Sequence, residues 1–157
     1  MFMPALVRLC VATLVLLGGT FAFTGCQSTP SYDEQSSTRT LTAFANSSWA
    51  LIQWTASDGR PVSIAKASTP TLQIGYESAI SGNAGINRYF GKIRVNKDGD
   101  LDWSEALAST RMAGSPEAMQ AEQQFMSDLK ATTHVTVLGD RLTFTGKGKL
   151  KLVFARD

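Results

Sequence analysis

The sequence has little cysteine and almost no histidine. Its 157 residues include two cysteines, Cys10 and Cys26, and one histidine, His134. Both cysteines fall in the first 26 residues, so the rest of the chain carries no thiol. That excludes a disulfide, a thiolate zinc site and a cysteine nucleophile from the domain that follows. A lone His134 has no second imidazole with which to complete a metal site, and it reads as a half-exposed strand residue. An excess of one charge is lacking too: 15 Lys and Arg stand against 13 Asp and Glu, with no run of either sign. The chain therefore has neither the electrostatic footprint of a nucleic-acid binder nor a polybasic lipid patch. No internal repeat is present.

A long hydrophobic run is present only at the N-terminus. Met1 to Arg8 supplies one positive charge, and Leu9 to Phe23 is uncharged and mostly apolar (LCVATLVLLGGTFAF). This is the length of a signal-peptide hydrophobic region, and short for a membrane span of about 20 residues. It ends in FTGC, which resembles a bacterial lipobox, with Phe23 where leucine is usual. The expectation is a lipoprotein signal peptide over residues 1–25, cleavage before Cys26, and acylation of Cys26. Cleavage would remove Cys10 and lipid would consume Cys26. More than one acyl chain gives firm anchoring where a single chain binds only marginally. In proteins of this resemblance the next residue influences sorting, and Gln27 favours the outer membrane over the inner.

Residues 26–46 are rich in Ser and Thr and read as a flexible tether, on the order of 25 Å long as a coil. Leu41 and Phe44, near its end, are its only residues suited to packing on the domain. From residue 47 to 157 the pattern is that of short strands: 48–54, 70–76, 86–95, 101–107, 134–138, 141–144 and 149–155. NKDGD (96–100) and Gly139-Asp140 are turn signals. One helix stands out. Ser115 suits its N-cap, Pro116 its first position and Glu117 its positive dipole end. Ala118, Ala121, Phe125 and Leu129 form its apolar stripe, with Met119 and Met126 as flanking filler. The expected fold is α+β: a compact, antiparallel, β-rich single domain with one helix packed on the sheet.

Three short motifs suggest chemistry and fail on inspection. SIAK (63–66) has the Ser-x-x-Lys spacing of penicillin-recognising enzymes, without their other elements. RVNKDGDLDWSE (94–105) places Asn96, Asp98, Gly99 and Glu105 in register with a calcium loop. Arg94, however, stands where that loop needs a carboxylate, and a hairpin turn fits better. GKGK (146–149) lacks phosphate-loop spacing. No catalytic residue, metal site or cofactor is expected.

The stretch SGNAGINRYFG (81–91) is the chain's most distinctive. Taken with Trp49 and Leu51, Pro70-Thr71-Leu72, Ser109 to Ala113, Glu122, Phe125, and the closing GDRLTF and LKLVF segments, it resembles the META domain, the family of HslJ-like heat-shock-associated envelope lipoproteins. The resemblance covers residues 47 to 155. It implies a compact antiparallel domain with one helix, and a role linked to stress or antibiotic tolerance. Relatives often carry cysteine where this chain has Ile86 and Gly114. The paired loss is what a bond between the two in those relatives would produce.

Asn83, Asn87, Arg88 and Arg111 are the candidate site residues. In one reading Gly82 and Gly85 permit a turn, Gly91 permits a bulge or close packing, and Asn87 and Arg111 clamp two segments together. In the other, the four side chains line a surface for a ligand or partner. The functional expectation is a lipid-anchored, non-enzymatic envelope protein facing the periplasm. Its partners would be the membrane, through its lipid, and an envelope protein or small ligand, but not nucleic acid. A periplasmic inhibitor or small-ligand binder is the alternative, and an enzyme of unrecognised type the second.

Overall fold

The computed structural model describes residues 44–103 and 105–157. The hydrophobic run, Cys26 and most of the tether lie outside the described residues. Phe44 to Asn46, at the end of the expected tether, belong to the fold. The Asn46 N–H donates to Ile74 O at 2.8 Å, and the Phe44 ring packs edge-on against Trp49 at 6.3 Å.

Strand β1 (Ser47–Thr55) is the centre of the sheet, and its sequence shows apolar residues on both faces. A bulge between Leu51 and Gln53 resolves this. Trp49 and Leu51 alternate inward, Ile52 and Gln53 both turn outward, and the extra residue brings Trp54 back to the core. One inserted residue shifts the phase of everything after it, so strict alternation could not have predicted the inward set.

The remaining strands are β2 (Thr71–Ile74), β3 (Ala79–Asn83), β4 (Arg88–Lys92), β5 (Arg94–Val95), β6 (Leu101–Asp102), β7 (Ala108–Ser109), β8 (Thr132–Leu138), β9 (Arg141–Gly146) and β10 (Lys151–Arg156). Eight of the ten strands form one antiparallel sheet in the order β7-β4-β3-β2-β1-β10-β9-β8, curled into a half-barrel. The fold is α+β, as expected. Strands β5 and β6 form a separate hairpin whose tip reaches the far edge: the Val135 N–H of β8 donates to Gly99 O at 2.7 Å.

Two expected strands are shorter than their sequence pattern suggested. The run 86–95 divides at Ile93, whose side chain is buried and whose N–H donates to Ser78 O at 3.0 Å. That bond extends the β3–β4 register by one pair, Ser78 opposite Ile93, and the β5–β6 hairpin begins just beyond it. The run 101–107 pairs only at Leu101–Asp102. The Trp103 indole then donates to Thr132 O at 2.9 Å, and the chain returns to β4 as β7.

Helix α1 (Pro116–Lys130) lies on the concave face. Ser115 caps it, accepting from the Ala118 N–H at 3.3 Å, and Pro116 occupies the first turn. The Phe125 ring meets Trp54 of β1 at 5.9 Å and Tyr89 of β4 at 6.0 Å, although two strands separate β1 from β4. Only a curled sheet lets both reach one ring. Burying Phe125 and Leu129 in this way contributes roughly 1.5–3 kcal/mol each. The stripe differs from expectation in two respects. Met119, expected as flanking filler, is exposed, while Met126 is partly buried. Ala121 is exposed as well, and Glu122 takes the inward-leaning position beside Phe125.

Candidate functional site

The site forms where β3 turns into β4. Asn83 Oδ1 accepts from the Gly85 N–H at 2.7 Å, and the Ala84 N–H donates to Asn87 O at 2.8 Å. These bonds close a tight turn at whose centre Gly85 has φ +137°, a conformation that L side chains rarely adopt. Gly82 has a different task. A Cβ there would lie 2.0 Å from Thr71 O, the same oxygen that accepts from the Tyr89 hydroxyl at 2.8 Å. Tyr89 is fully buried, and burial pushes its phenol well above the ordinary range. Gly91 packs close to Leu107.

The turn is held by helix α1. Glu122 Oε2 accepts from the backbone N–H groups of Ile86 at 2.8 Å and Asn87 at 2.6 Å. Glu122 Oε1 accepts from Asn87 Nδ2 at 2.8 Å. That same nitrogen donates to Met112 O at 3.2 Å, while Asn87 Oδ1 accepts from the Met112 N–H at 2.7 Å and the Thr110 hydroxyl at 2.8 Å. An asparagine amide offers two donors and two acceptor sites, and here all are used. Asn87 is 4% exposed, so each bond is made away from water and each lost partner would be costly. One side chain thus ties the β3–β4 turn, the segment after β7 and helix α1 together.

The four candidate residues therefore separate. Asn83 shapes the turn and Asn87 is the hub. Arg88 is exposed on β4, and only its backbone takes part, donating to Thr110 Oγ1 at 3.1 Å. Arg111 is also exposed, and among the described residues its guanidinium makes no hydrogen bond or ion pair. The expected Asn87–Arg111 clamp is thus corrected. Asn87 grips the residues on either side of Arg111, and Glu122 is the charged partner. Glu122 had a sequence signal only through the family resemblance, because its helical position looks like a solvated charge.

Ile86 and Gly114, the positions at which the family resemblance leads one to expect cysteine, are in contact. A Cβ on Gly114 would lie 2.2 Å from Ile86 Cδ1, so the isoleucine fills the space a side chain at 114 would take.

Outside the clamp, the expected calcium-loop decoy is a hairpin turn. Asn96 Oδ1 accepts from the N–H groups of Asp98 and Asp100, both at 2.9 Å. Half-exposed His134 faces Asp100 through Nδ1 at 3.2 Å. Hydrogen bonds from Asn96 and then His134 hold the Asp100 carboxyl below its usual range. Among the described residues, no buried side-chain nitrogen or oxygen lacks a partner.

A META domain family model matches residues 40–157. The solved NMR structure of a protein from Burkholderia xenovorans is similar, with TM-score 0.62 and 26% identity over 76% of this chain and 87% of that one. A second NMR structure gives 0.53 at 24% identity, covering 73% and 92% of the two chains. The crystal structure of a DUF4847 family protein from Bacteroides vulgatus shares the fold, with TM-score 0.53, 14% identity and coverage of 75% and 97%. No curated protein matches significantly.

Proposed function

The chain belongs to the META domain family, and we propose that it is a lipid-anchored protein of the bacterial envelope whose domain acts by interaction, not catalysis, in stress or antibiotic tolerance. The observation that carries this reading is the apolar run from Leu9 to Phe23 ending in FTGC. Cleavage before Cys26 removes Cys10, and acylation consumes the Cys26 thiol. Gln27 directs the product to the outer membrane, with the domain in the periplasm. The clamp supports the non-catalytic part: the Asn87 amide is fully engaged in holding three segments. What the site presents outward is Arg88, Arg111 and the half-exposed Met112 side chain, a surface suited to contact with a partner.

The test is to grow cells expressing the parent and Cys26→Ser on labelled palmitate and to fractionate their membranes. The parent should carry label and sediment with the outer membrane. The variant should carry none and either leave the membrane or stall uncleaved. Equal label in both proteins would refute the assignment of Cys26.

A further inference from the structure

The registers of the sheet gather one set of turns at the end where the chain enters the domain. Ser47 of β1 lies opposite Ile74 of β2, and Trp49 opposite Arg156 of β10. The same pairings bring the β2–β3 turn and the β8–β9 turn to this end. Each turn displays one large side chain outward: Tyr76 is 64% exposed and Leu138 83% exposed. Strands β1, β10 and β9 lie between β2, which leads to Tyr76, and β8, which ends at Leu138, so at about 4.8 Å per strand the two side chains stand on the order of 20 Å apart along the sheet.

The chemistry of the tips is interfacial. The Tyr76 hydroxyl accepts from Asn46 Nδ2 at 2.7 Å, which partners its polar end and leaves the ring outside. Glu77 and Ser78 follow with φ 53° and 62°. The Ala79 N–H closes the turn on Tyr76 O at 3.0 Å. Two residues with Cβ atoms thus adopt the left-handed pair of a tight hairpin turn, at a conformational cost, and project the tyrosine beyond the sheet. Around the tips, exposed Lys92, Arg141 and Arg156 are balanced by exposed Glu77, Asp140 and Asp157. At the opposite end, the turns Asp58-Gly59-Arg60 and Lys147-Gly148-Lys149 are polar.

The tips therefore project from the end at which the segment bearing Cys26 joins the domain. We propose that this end rests on the lipid bilayer, with Tyr76 and Leu138 seated at the boundary between headgroups and acyl chains. The inference rests on the lipid anchor at Cys26. An anchored tether of about 20 residues keeps the domain at high effective concentration over the surface, so two side chains suffice where free protein would not bind. Aromatic rings with a polar tip and exposed leucines are the residues that favour this boundary. Because the surrounding charge is mixed, the contact does not depend on anionic lipid.

The full-length acylated chain, reconstituted into phosphatidylethanolamine–phosphatidylglycerol vesicles, provides the test. Tryptophan is placed at either end, as Leu138→Trp or Lys147→Trp; both positions are exposed, so folding is preserved. The native tryptophans give a common background. Bromines on the acyl chains should quench the added Leu138→Trp emission at least about twofold, since an interfacial side chain sits roughly 5–10 Å into this boundary. The Lys147→Trp emission should not change, and raising salt should leave both results as they are. Floating vesicles and an intact-mass shift at Cys26, with equal quenching or none at the two positions, would overturn the docking and leave the anchor standing. Absence of both flotation and the mass shift would overturn the anchor, and the docking with it. Added protein protecting Leu138→Trp in lipid-free detergent solution, with no quenching in vesicles, would reassign this end to a protein partner.

Discussion

Asn87 and Asn96 use the same amide in the same way, and the consequences differ. Each accepts two hydrogen bonds at its side-chain oxygen and donates to a carboxylate through its nitrogen. The partners of Asn96 lie two and four residues away, within one half-exposed hairpin turn. Those of the Asn87 side chain lie 23, 25 and 35 residues away, on two other segments, in a buried place. A local turn can form in a partly unfolded chain, and water replaces its bonds at little cost. The buried hub forms only when the domain closes, and nothing replaces its bonds once a partner is removed. Equal chemistry thus gives unequal energy, and burial and sequence separation decide which asparagine the fold depends on.

The comparison breaks most visibly at Asn87 itself. Asn87→Ala removes the side-chain partner of Glu122 Oε1, of the Met112 backbone and of the Thr110 hydroxyl, and should cost on the order of 3 kcal/mol in urea unfolding. In a domain whose stability is about 5–15 kcal/mol, this is a large share. A loss equal to that of Asn96→Ala would remove the distinction between the two. Gly85→Ala comes next. Its Cβ would be 3.8 Å from Glu122 Cβ, so space exists and the cost is conformational, at φ +137°. About 1–2 kcal/mol is expected from the same measurement.

The sequence made the local half of this comparison readable and hid the other half. NKDGD announces its own turn, since Asn and Asp-Gly act on neighbours. Ser115-Pro116-Glu117 announces the start of α1 for the same reason. Asn87 could be singled out, but not its partners. Arg111 looked like the clamp because it is charged and Glu122 was hidden because it lies between exposed positions on a helix whose rotation only the docked sheet fixes. The β1 bulge and the division of 86–95 at Ile93 were hidden likewise. Each depends on a pairing with a distant strand or turn.

Smaller effects sharpen the contrast. Asn96→Ala should cost only about 0.5–1 kcal/mol, because the turn stays solvated. Its signature is in acid. The Asp100 value is depressed in the folded state, first by the Asn96 bond and then by His134. A depressed carboxyl contributes stability that is present above the unfolded range, near about 4, and lost as pH falls through the folded value. Asn96→Ala should therefore flatten the parent's acid limb in a melting series between pH 7 and strongly acidic conditions; an unchanged limb would show that the Asn96 bond does not hold Asp100. Arg88→Ala and Arg111→Ala should be smallest of all, within about 0.5 kcal/mol of the parent in urea, since both guanidinium groups are exposed. Loss of crosslinking to an envelope partner in these two variants, with melting unchanged, would mark the outer rim of the clamp as the contact surface.

The central claim is that Asn87 and Glu122 act as one unit. A double-mutant cycle with Asn87→Ala, Glu122→Ala and the pair, measured by urea unfolding, tests it most directly. Either substitution removes the Asn87 Nδ2–Glu122 Oε1 bond, which the other would then not remove again, so the double variant should lose less than the sum of the singles. The predicted coupling is about 1–3 kcal/mol. Losses that add within about 0.5 kcal/mol would contradict the clamp, and would mean that the two side chains support the fold independently.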